Sequence, residues 1–379
     1  MPLDEREHDP DSDDLSLWVG MNSTTPGEYN SSTKFVCSLP PADYTRIVLQ
    51  ERPKADITSS AFRKEVVALP SELKDGQVLV KVHWLSLDPA MRGWLNDARS
   101  YVPPVQIGEV MRAMGLGTVV DPGKGTEFKQ GDFVRGTFGW QEYAVLKASA
   151  VEKIALPKGA ELLDFLGPLG SSGMTAYFGL EDICALKPGE TLVVSGAAGS
   201  VGSLVCQMGK KKGAKVIAIA GSDEKCNWLE KELGADKALN YKSPSWKEEF
   251  RKLGYLDAFF DNVGGEMLDF MLTRLNKGAR IALCGAISDY NRKPKGLTSY
   301  LTLISQRAKI QGFIVFDYAD QYSKAAEEIA GWLADGTLKR KFHIVEGLEN
   351  APTALPMLFS GGNTGKLVVK VDHGAGAKL

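Results

Sequence analysis

The sequence has few of the residues that build disulfide frameworks or metal centres. Its 379 residues include five cysteines, which are scattered and never spaced C-x-x-C, and four isolated histidines. A disulfide framework needs paired cysteines, and a zinc site needs three or four convergent Cys, His or carboxylate ligands. We therefore expect neither a disulfide-stabilised fold nor a resident metal.

Strong net charge and long apolar runs are missing as well. Lys and Arg total 45 and Asp and Glu total 47, so the formal net charge is −2. That balance provides no general attraction to nucleic acid or to an anionic membrane. No apolar run approaches the roughly 20 residues that cross a bilayer, and no charged-then-apolar leader begins the chain. We expect a protein that has no nucleic-acid or membrane partner and is not secreted.

The two ends of the chain differ in composition from the rest. Residues 1–14 hold seven acids and one base, and residues 1–40 are predicted to form a disordered acidic and polar tail. The last three residues, Ala377-Lys378-Leu379, approximate the Ser-Lys-Leu peroxisomal address. Cytoplasmic localisation is the first expectation, and peroxisomal targeting is the alternative.

Two patterns divide the remaining chain into two predicted domains of an α/β protein. Short β-branched stretches punctuated by Gly, Pro and Asp predict a β-rich domain over residues 41–165, which residues 340–379 complete with the strand Lys366–Val371. Over residues 166–339, strands alternate with helices. This alternation predicts a doubly wound parallel sheet covered on both faces.

The glycine-rich turn after residue 195 is the most informative motif. The apolar strand Thr191–Ser195 leads directly to Gly196, Gly199 and Gly202, and a helix follows. Glycines permit close approach of the backbone to a pyrophosphate, and the helix N-terminus supplies free N–H groups and partial positive charge. The alternative is a turn whose small residues serve packing alone. In this strand–turn–helix setting we predict a Rossmann domain that binds a dinucleotide.

The end of the next strand indicates which dinucleotide binds. Sites for NAD usually place an acid there, whereas the strand Lys215–Ala220 ends in Gly221-Ser222 and is followed by Lys225. A cation and a hydroxyl suit a 2′-phosphate, so the sequence predicts NADPH. Asp223 and Glu224 would oppose the phosphate if they faced it, but we expect them in the first helical turn, where acids complement the dipole. An ordinary solvated lysine is the alternative for Lys225.

A series of short motifs runs in order between residues 45 and 372. The motifs are Gly173–Leu180, 196–202, Gly221–Lys225, Asn240-Tyr241, Asp261–Gly265, Cys284–Tyr290, Gly312–Val315 and Gly362–Lys366. Together they resemble the zinc-independent medium-chain reductases, specifically the prostaglandin/leukotriene reductase and alkenal double-bond reductase branch. The family's Asp-Pro-Tyr-Met-Arg element reads Asp88-Pro89-Ala90-Met91-Arg92 here, so the family's substrate preference is not carried over.

The resemblance implies a GroES-like β-rich domain interrupted by the Rossmann domain, a homodimer, and NADPH-dependent reduction of the C=C bond of α,β-unsaturated aldehydes and ketones. It implies that Gly199, Ser200, Val201 and Gly202 hold the pyrophosphate, and that Lys225 and Tyr241 hold the 2′-phosphate. The other implied cofactor-binding residues line the path from adenosine to nicotinamide: Asn262, Cys284, Gly285, Ala286, Ile287, Ser288, Tyr290, Phe313, Ile314, Val315 and Asn363.

Tyr290 is the predicted catalytic residue. A hydride that reaches the β-carbon of an enone leaves an enolate, whose oxygen needs stabilisation and whose α-carbon needs a proton. A tyrosine is protonated at pH 7, and Tyr290 follows a predicted strand end, where ligands bind in open α/β sheets. A packing tyrosine, with solvent as the proton source, is the alternative. An NADPH:quinone oxidoreductase, an allylic alcohol dehydrogenase and a non-enzymatic NADPH-binding protein remain alternative functions.

Overall fold

The computed structural model describes residues 40–371. All but the last residue of the predicted N-terminal tail, and the tripeptide Ala377–Leu379, lie outside the described residues. The strands are β1 Asp43–Leu49, β2 Phe62–Ala68, β3 Gln77–Ser86, β4 Met114–Asp121, β5 Phe133–Thr137, β6 Tyr143–Lys147, β7 Val151–Lys153, β8 Thr191–Val194, β9 Lys215–Ala220, β10 Lys237–Asn240, β11 Leu256–Asp261, β12 Leu275–Leu283, β13 Lys309–Gly312, β14 Phe342–Glu346 and β15 Lys366–Lys370. The helices are α1 Met91–Trp94, α2 Ser171–Phe178, α3 Ser200–Lys211, α4 Asp223–Lys231, α5 Trp246–Leu253, α6 Gly265–Leu272, α7 Leu301–Gln306, α8 Tyr322–Ala334, α9 Ala351–Ala354 and α10 Met357–Ser360.

A parallel sheet of six strands carries the glycine-rich turn. Its order is β10-β9-β8-β11-β12-β13, and every neighbouring pair is parallel. Five of the six residues of β9 are buried, which is typical of a strand covered by helices on both faces. The strand order reverses direction between β8 and β11, so the ends of these strands form the crevice in which doubly wound sheets bind ligands.

The second large sheet has the order β14-β15-β3-β4-β5-β7, and β6 also pairs with β3. Only β14 and β15 run parallel to each other; the other pairs in this sheet are antiparallel. β15 comes from the C-terminal part of the described chain and pairs with β3, with Val368 opposite Ser86. β1 and β2 form a separate antiparallel pair. The predicted α/β class with a β-rich part and a Rossmann sheet is confirmed; the boundaries near residues 165 and 340 stay predictions.

Some element bounds differ from those that the sequence suggests. The sequence pattern predicts a helix over residues 265–276, but α6 ends at Leu272, because β12 starts at Leu275, where it pairs with Leu256 next to a register irregularity. The sequence also predicts a strand over Ile310–Val315, but β13 ends at Gly312, and Val315 begins a 3-10 helix. Within residues 40–371, no helix is long and apolar enough to cross a membrane.

Candidate active site

The glycine-rich turn forms a cradle that side chains would fill. Gly196 has φ +57°, a left-handed conformation that suits glycine. A Cβ on Gly202 would lie 2.4 Å from the Gly196 carbonyl oxygen, and one on Gly199 would lie 3.2 Å from the same atom. α3 begins at Ser200, and Gly199 offers no side-chain cap to its first amides. Because these amides lack intrahelical acceptors, the turn fits an anion such as a pyrophosphate.

Residues at the end of β11 form hydrogen bonds with Ser195, which leads into this turn. The Ser195 hydroxyl donates to Asp261 Oδ1 at 2.6 Å, and the Asn262 side-chain amide donates to the Ser195 carbonyl at 2.7 Å. Asp261 is fully buried and also accepts bonds from the Val263 and Gly264 amides. Burial raises the pKa of Asp261, although these hydrogen bonds favour its carboxylate. Asn262, a predicted cofactor residue, therefore has its side-chain amide engaged in holding the turn.

The loop of residues 284–290 lies directly on the turn of residues 261–265. The Cys284 and Gly285 amides donate to the Asp261 carbonyl at 2.9 and 3.1 Å. The Ser288 hydroxyl donates to the Val263 carbonyl at 2.7 Å. The structure thus brings the predicted residues of this loop beside the crevice at the end of β8. Ile287 belongs to the same loop, and its amide donates to the Asn262 carbonyl at 3.3 Å.

Tyr290 is the last residue of this loop, and its side chain folds back over the first residues of the loop. A Cβ added to Gly285 would lie 3.2 Å from the Tyr290 hydroxyl oxygen. Burial raises the pKa of Tyr290, and a hydrogen bond with the Ala286 backbone only partly offsets that effect. The phenol is therefore protonated at neutral pH and can act as a donor. Cys284, in contrast, is kept as a thiol because burial raises its pKa to about 12.

Aromatic side chains from distant parts of the chain meet at Tyr101, which lies near Tyr290. Tyr101 is close enough for its hydroxyl to raise the pKa of Tyr290. Its ring centroid lies 6.2 Å from that of Phe316, and the Trp94 indole donates to its hydroxyl at 3.3 Å. Tyr101 and Phe316 are both about half exposed. Neither residue could be predicted from the sequence, because both lie in segments without strand or helix periodicity.

A second group of polar residues lies where β9 ends, and we call it the β9-end site. Ser222 caps α4, because its hydroxyl accepts a bond from the Lys225 amide at 3.3 Å. Lys225 Nζ donates to the Gly361 carbonyl at 2.8 Å. Burial lowers the pKa of Lys225, and the nearby charge of Lys242 lowers it further. Two cations that repel each other in this way fit a shared anionic partner.

The ring of Tyr241 lies beside Gly221 at the β9-end site. A Cβ on Gly221 would lie 3.1 Å from Tyr241 Cε1. Asp223 lies in the first turn of α4, as expected, and accepts a bond from the Asn240 side-chain amide at 2.9 Å. Lys242 was missed by sequence reasoning, although it directly follows Tyr241. These residues fit the 2′-phosphate that the sequence predicts.

The remaining predicted residues lie around the same crevice. Phe313 packs edge-on against Phe260 with centroids 6.2 Å apart, and Ile314 and Val315 continue the same segment. The Asn363 side-chain amide donates to the Gly365 carbonyl at 3.1 Å, and the Gly365 amide donates to the Ala198 carbonyl at 2.8 Å. The segment of Asn363 therefore touches the glycine-rich turn. No group of three or more His, Cys, Asp or Glu side chains in residues 40–371 is arranged to hold a metal ion.

Comparison with known proteins identifies the family. Two family models match, one described as the N-terminal domain of oxidoreductase over residues 45–154 and one as zinc-binding dehydrogenase over residues 200–331. The chain belongs to the medium-chain dehydrogenase/reductase family. Within it, the predicted alkenal and prostaglandin reductase branch is confirmed by the relatives. This branch is zinc-independent, despite the name of the second family model.

The relatives match nearly the whole of their own length. Prostaglandin reductase 1 of Bos taurus is 40% identical over 83% of this chain and 94% of its own. The 2-alkenal reductase (NADP(+)-dependent) of Nicotiana tabacum is 39% identical over 78% of this chain and 88% of its own. The crystal structure of CurA from Vibrio vulnificus in complex with NADPH has a TM-score of 0.82 and is 40% identical, covering 87% of this chain and 99% of that chain. These medium-chain relatives bear out the expectation of an NADP-dependent oxidoreductase.

Proposed function

We propose that this medium-chain reductase binds NADPH and reduces the C=C bond of α,β-unsaturated aldehydes and ketones. The observation that supports the proposal best is the position of Tyr290. Its half-buried, protonated hydroxyl lies over Gly285 at the end of a loop bonded to the turn after β11. This arrangement supports the proposal, because Tyr290 would then serve as a proton donor beside the crevice where the dinucleotide would lie.

The residues that would hold the cofactor come from the glycine-rich turn, the β9-end site and the loop of residues 284–290. Gly199, Ser200, Val201 and Gly202 would hold the pyrophosphate. Lys225, Tyr241 and Lys242 would hold the 2′-phosphate, and the loop of residues 284–290 with Phe313–Val315 would border the nicotinamide. Bound NADPH would supply the hydride that reduces the β-carbon of the substrate.

The protein's own contribution is the placement and protonation of the substrate. The enolate left by the reduction carries negative charge on its oxygen, and a donor fixed in a partly water-excluded site stabilises that charge better than water does. The Tyr290 hydroxyl is the group placed to donate such a hydrogen bond. Proton delivery to the α-carbon from Tyr290 or from solvent then completes the reduction. Tyr101 and Phe316, which are about half exposed, would contact the substrate on its solvent-facing side.

A substrate panel tests the proposal. Purified protein is mixed with NADPH or NADH and with an enal, an enone or a quinone, or with NADP+ or NAD+ and with an allylic alcohol. Consumption of the reduced cofactor in the first set and its formation in the second are followed by the nicotinamide absorbance, and products are identified by NMR. We expect NADPH-dependent formation of the saturated aldehyde or ketone. Turnover of quinones alone would support the quinone oxidoreductase alternative, and oxidation of the alcohol alone would support the dehydrogenase.

We also propose that the chain forms a homodimer through the edge of the six-stranded sheet. β13 lies at that edge, and three of its four residues are exposed. The neighbouring helix α7 exposes Leu301 and Ile304, the latter to 73%. An edge strand beside exposed apolar side chains is suited to pairing with a second copy. Light scattering should give twice the chain mass, and Ile304→Asp should shift the population toward monomer; a monomeric wild type would refute the proposal.

A further inference from the structure

Arg92 is a buried cation that the proposed mechanism does not use. It lies in α1 and is only 4% exposed. A buried charge is tolerated when it is paired and hydrogen-bonded, and Arg92 meets this condition with several acceptors. Its guanidinium donates to the carbonyls of Pro53 and Ala55, to Asn96 Oδ1 at 2.6 Å and to Asn291 Oδ1 at 2.9 Å.

The bond to Asn291 joins segments that are 199 residues apart. Asn291 directly follows Tyr290, the predicted proton donor. The side-chain nitrogen of Asn291 donates to Asp56 Oδ1 at 3.0 Å. The amide is therefore held at both ends, with its oxygen on the cation and its nitrogen on the carboxylate. We call Arg92, Asn291 and Asp56 the Arg92 clamp.

The clamp holds the chain at Asn291, directly after the last residue of the loop. The amides of Cys284, Gly285 and Ser288 bond the turn of residues 261–263, which fixes the start of the loop. Beyond Asn291, the Arg292 amide bonds the nearby Asp289 carbonyl, and the next bonds to a more distant, half-buried part of the described chain come at Thr298 and Ser299, which bond Asp269. An exposed contact between Lys295 and Glu266 lies between them. The clamp is thus the long-range anchor next to Tyr290.

We propose that Arg92 is a positioning residue that acts through Asn291 to fix the Tyr290 hydroxyl against the substrate. The inference rests on the proposed function, because it assumes that Tyr290 serves the reduction. Misplacement of a reacting group by about 1 Å can lower a rate by roughly 100-fold. Loss of the clamp should therefore lower turnover while leaving the affinity for the cofactor unchanged.

Three variants and one control test the role. Arg92→Lys keeps the charge but loses the planar fork that reaches several acceptors, and Asn291→Ala leaves Arg92 in place. The double variant Arg92→Lys/Asn291→Ala reports on coupling. Arg280→Lys is the matched control, because Arg280 also makes several bonds, to Glu190 and to the carbonyls of Cys184, Ala185 and Asp257. It lies on β12, away from the strand end that leads to Tyr290.

Kinetics provide the first readout. We expect each single variant to lower kcat for an enone by roughly 10- to 100-fold, with the dissociation constant for NADPH unchanged. The double variant should be no slower than the slower single variant, because both substitutions remove the same bond. Additive losses, or an equal loss in Arg280→Lys, would overturn the positioning role, since both are signs of general destabilisation.

A ligand-free readout separates this inference from the proposed function. Protein labelled with 3-fluorotyrosine is observed by fluorine NMR, and Tyr290→Phe identifies the Tyr290 signal among the 11 tyrosines. We expect the signal to shift or broaden in Arg92→Lys and Asn291→Ala but not in Arg280→Lys. If it does so while the wild type reduces no enone, the proposed function fails and the clamp stands. If neither the signal nor kcat changes, the clamp is refuted.

Discussion

Replacement of Lys225 by Ala should weaken NADPH binding and leave NADH binding nearly unchanged. The Lys225 ammonium donates a hydrogen bond to the Gly361 carbonyl at 2.8 Å. The nearby charge of Lys242 lowers the pKa of Lys225. A 2′-phosphate that reaches Lys225 would gain a charge-assisted hydrogen bond, worth about 1.5–3 kcal/mol. NADH has no 2′-phosphate, so it would not lose this interaction in the variant.

The contact with Gly361 sets the magnitude at the lower end of that range. Lys225 must loosen or share its bond to this carbonyl when the phosphate arrives, and a hydrogen bond from a charged donor is not given up without loss. We therefore expect the free energy of NADPH binding to become less favourable by about 1.5 kcal/mol, which corresponds to a roughly 10-fold higher dissociation constant.

Calorimetry with both cofactors is the decisive assay. Lys231→Ala serves as the control, because Lys231 is an exposed lysine in the last turn of the same helix. We expect this control to bind both cofactors as the wild type does. Equal weakening of NADPH and NADH by Lys225→Ala would refute the reasoning, because it would mean that Lys225 supports the β9-end site through Gly361 and does not read the phosphate.

Two further substitutions test the turn and the predicted donor. Gly202→Ala should abolish binding of both cofactors, because its Cβ would lie 2.4 Å from the Gly196 carbonyl oxygen; calorimetric binding at wild-type affinity would contradict the cradle. Tyr290→Phe should lower kcat for enones by roughly 100-fold, the lower end for loss of a general acid, whereas Tyr300→Phe, which removes an exposed hydroxyl, should not. Since burial raises the pKa of Tyr290, its protonated form persists as pH rises, and turnover should lose this donor only above the ordinary pKa of a tyrosine. A fall in kcat near neutral pH that Tyr290→Phe removes would show that the phenol titrates lower than the structure indicates.

Parts of the site that are encoded locally could be predicted from the sequence. The turn from Thr191 to Gly202 is continuous, so the strand, the glycines and the helix start can all be recognised without knowing the fold. Lys225 lies a few residues after the end of the next strand, so the preference for NADPH could also be predicted from the sequence. The alternation of strands and helices likewise indicated the parallel sheet.

Contacts between distant segments could not be predicted in this way. Tyr101 meets Phe316 from a loop that has no periodic pattern, and Arg92 meets Asn291 across 199 residues. The hydrogen bond from the Asn262 side-chain amide to the Ser195 carbonyl likewise spans 67 residues, and the role of Asn262 in lining the cofactor path stays a prediction. Such pairings depend on how the two sheets and their loops pack together, and spacing along the sequence carries no direct record of it.

The insertion of β15 between β14 and β3 has a consequence for synthesis on the ribosome. β3 leaves the exit tunnel long before its partner does, since the contact between Lys366 and Leu87 spans 279 residues. Until β15 emerges, the end of β3 at Trp84–Ser86 lacks the partner strand on one side, and such unpaired backbone groups make a growing polypeptide prone to aggregation. Chaperone demand should therefore be greatest while the intervening Rossmann part is being translated, and it should fall once the closing strand has docked.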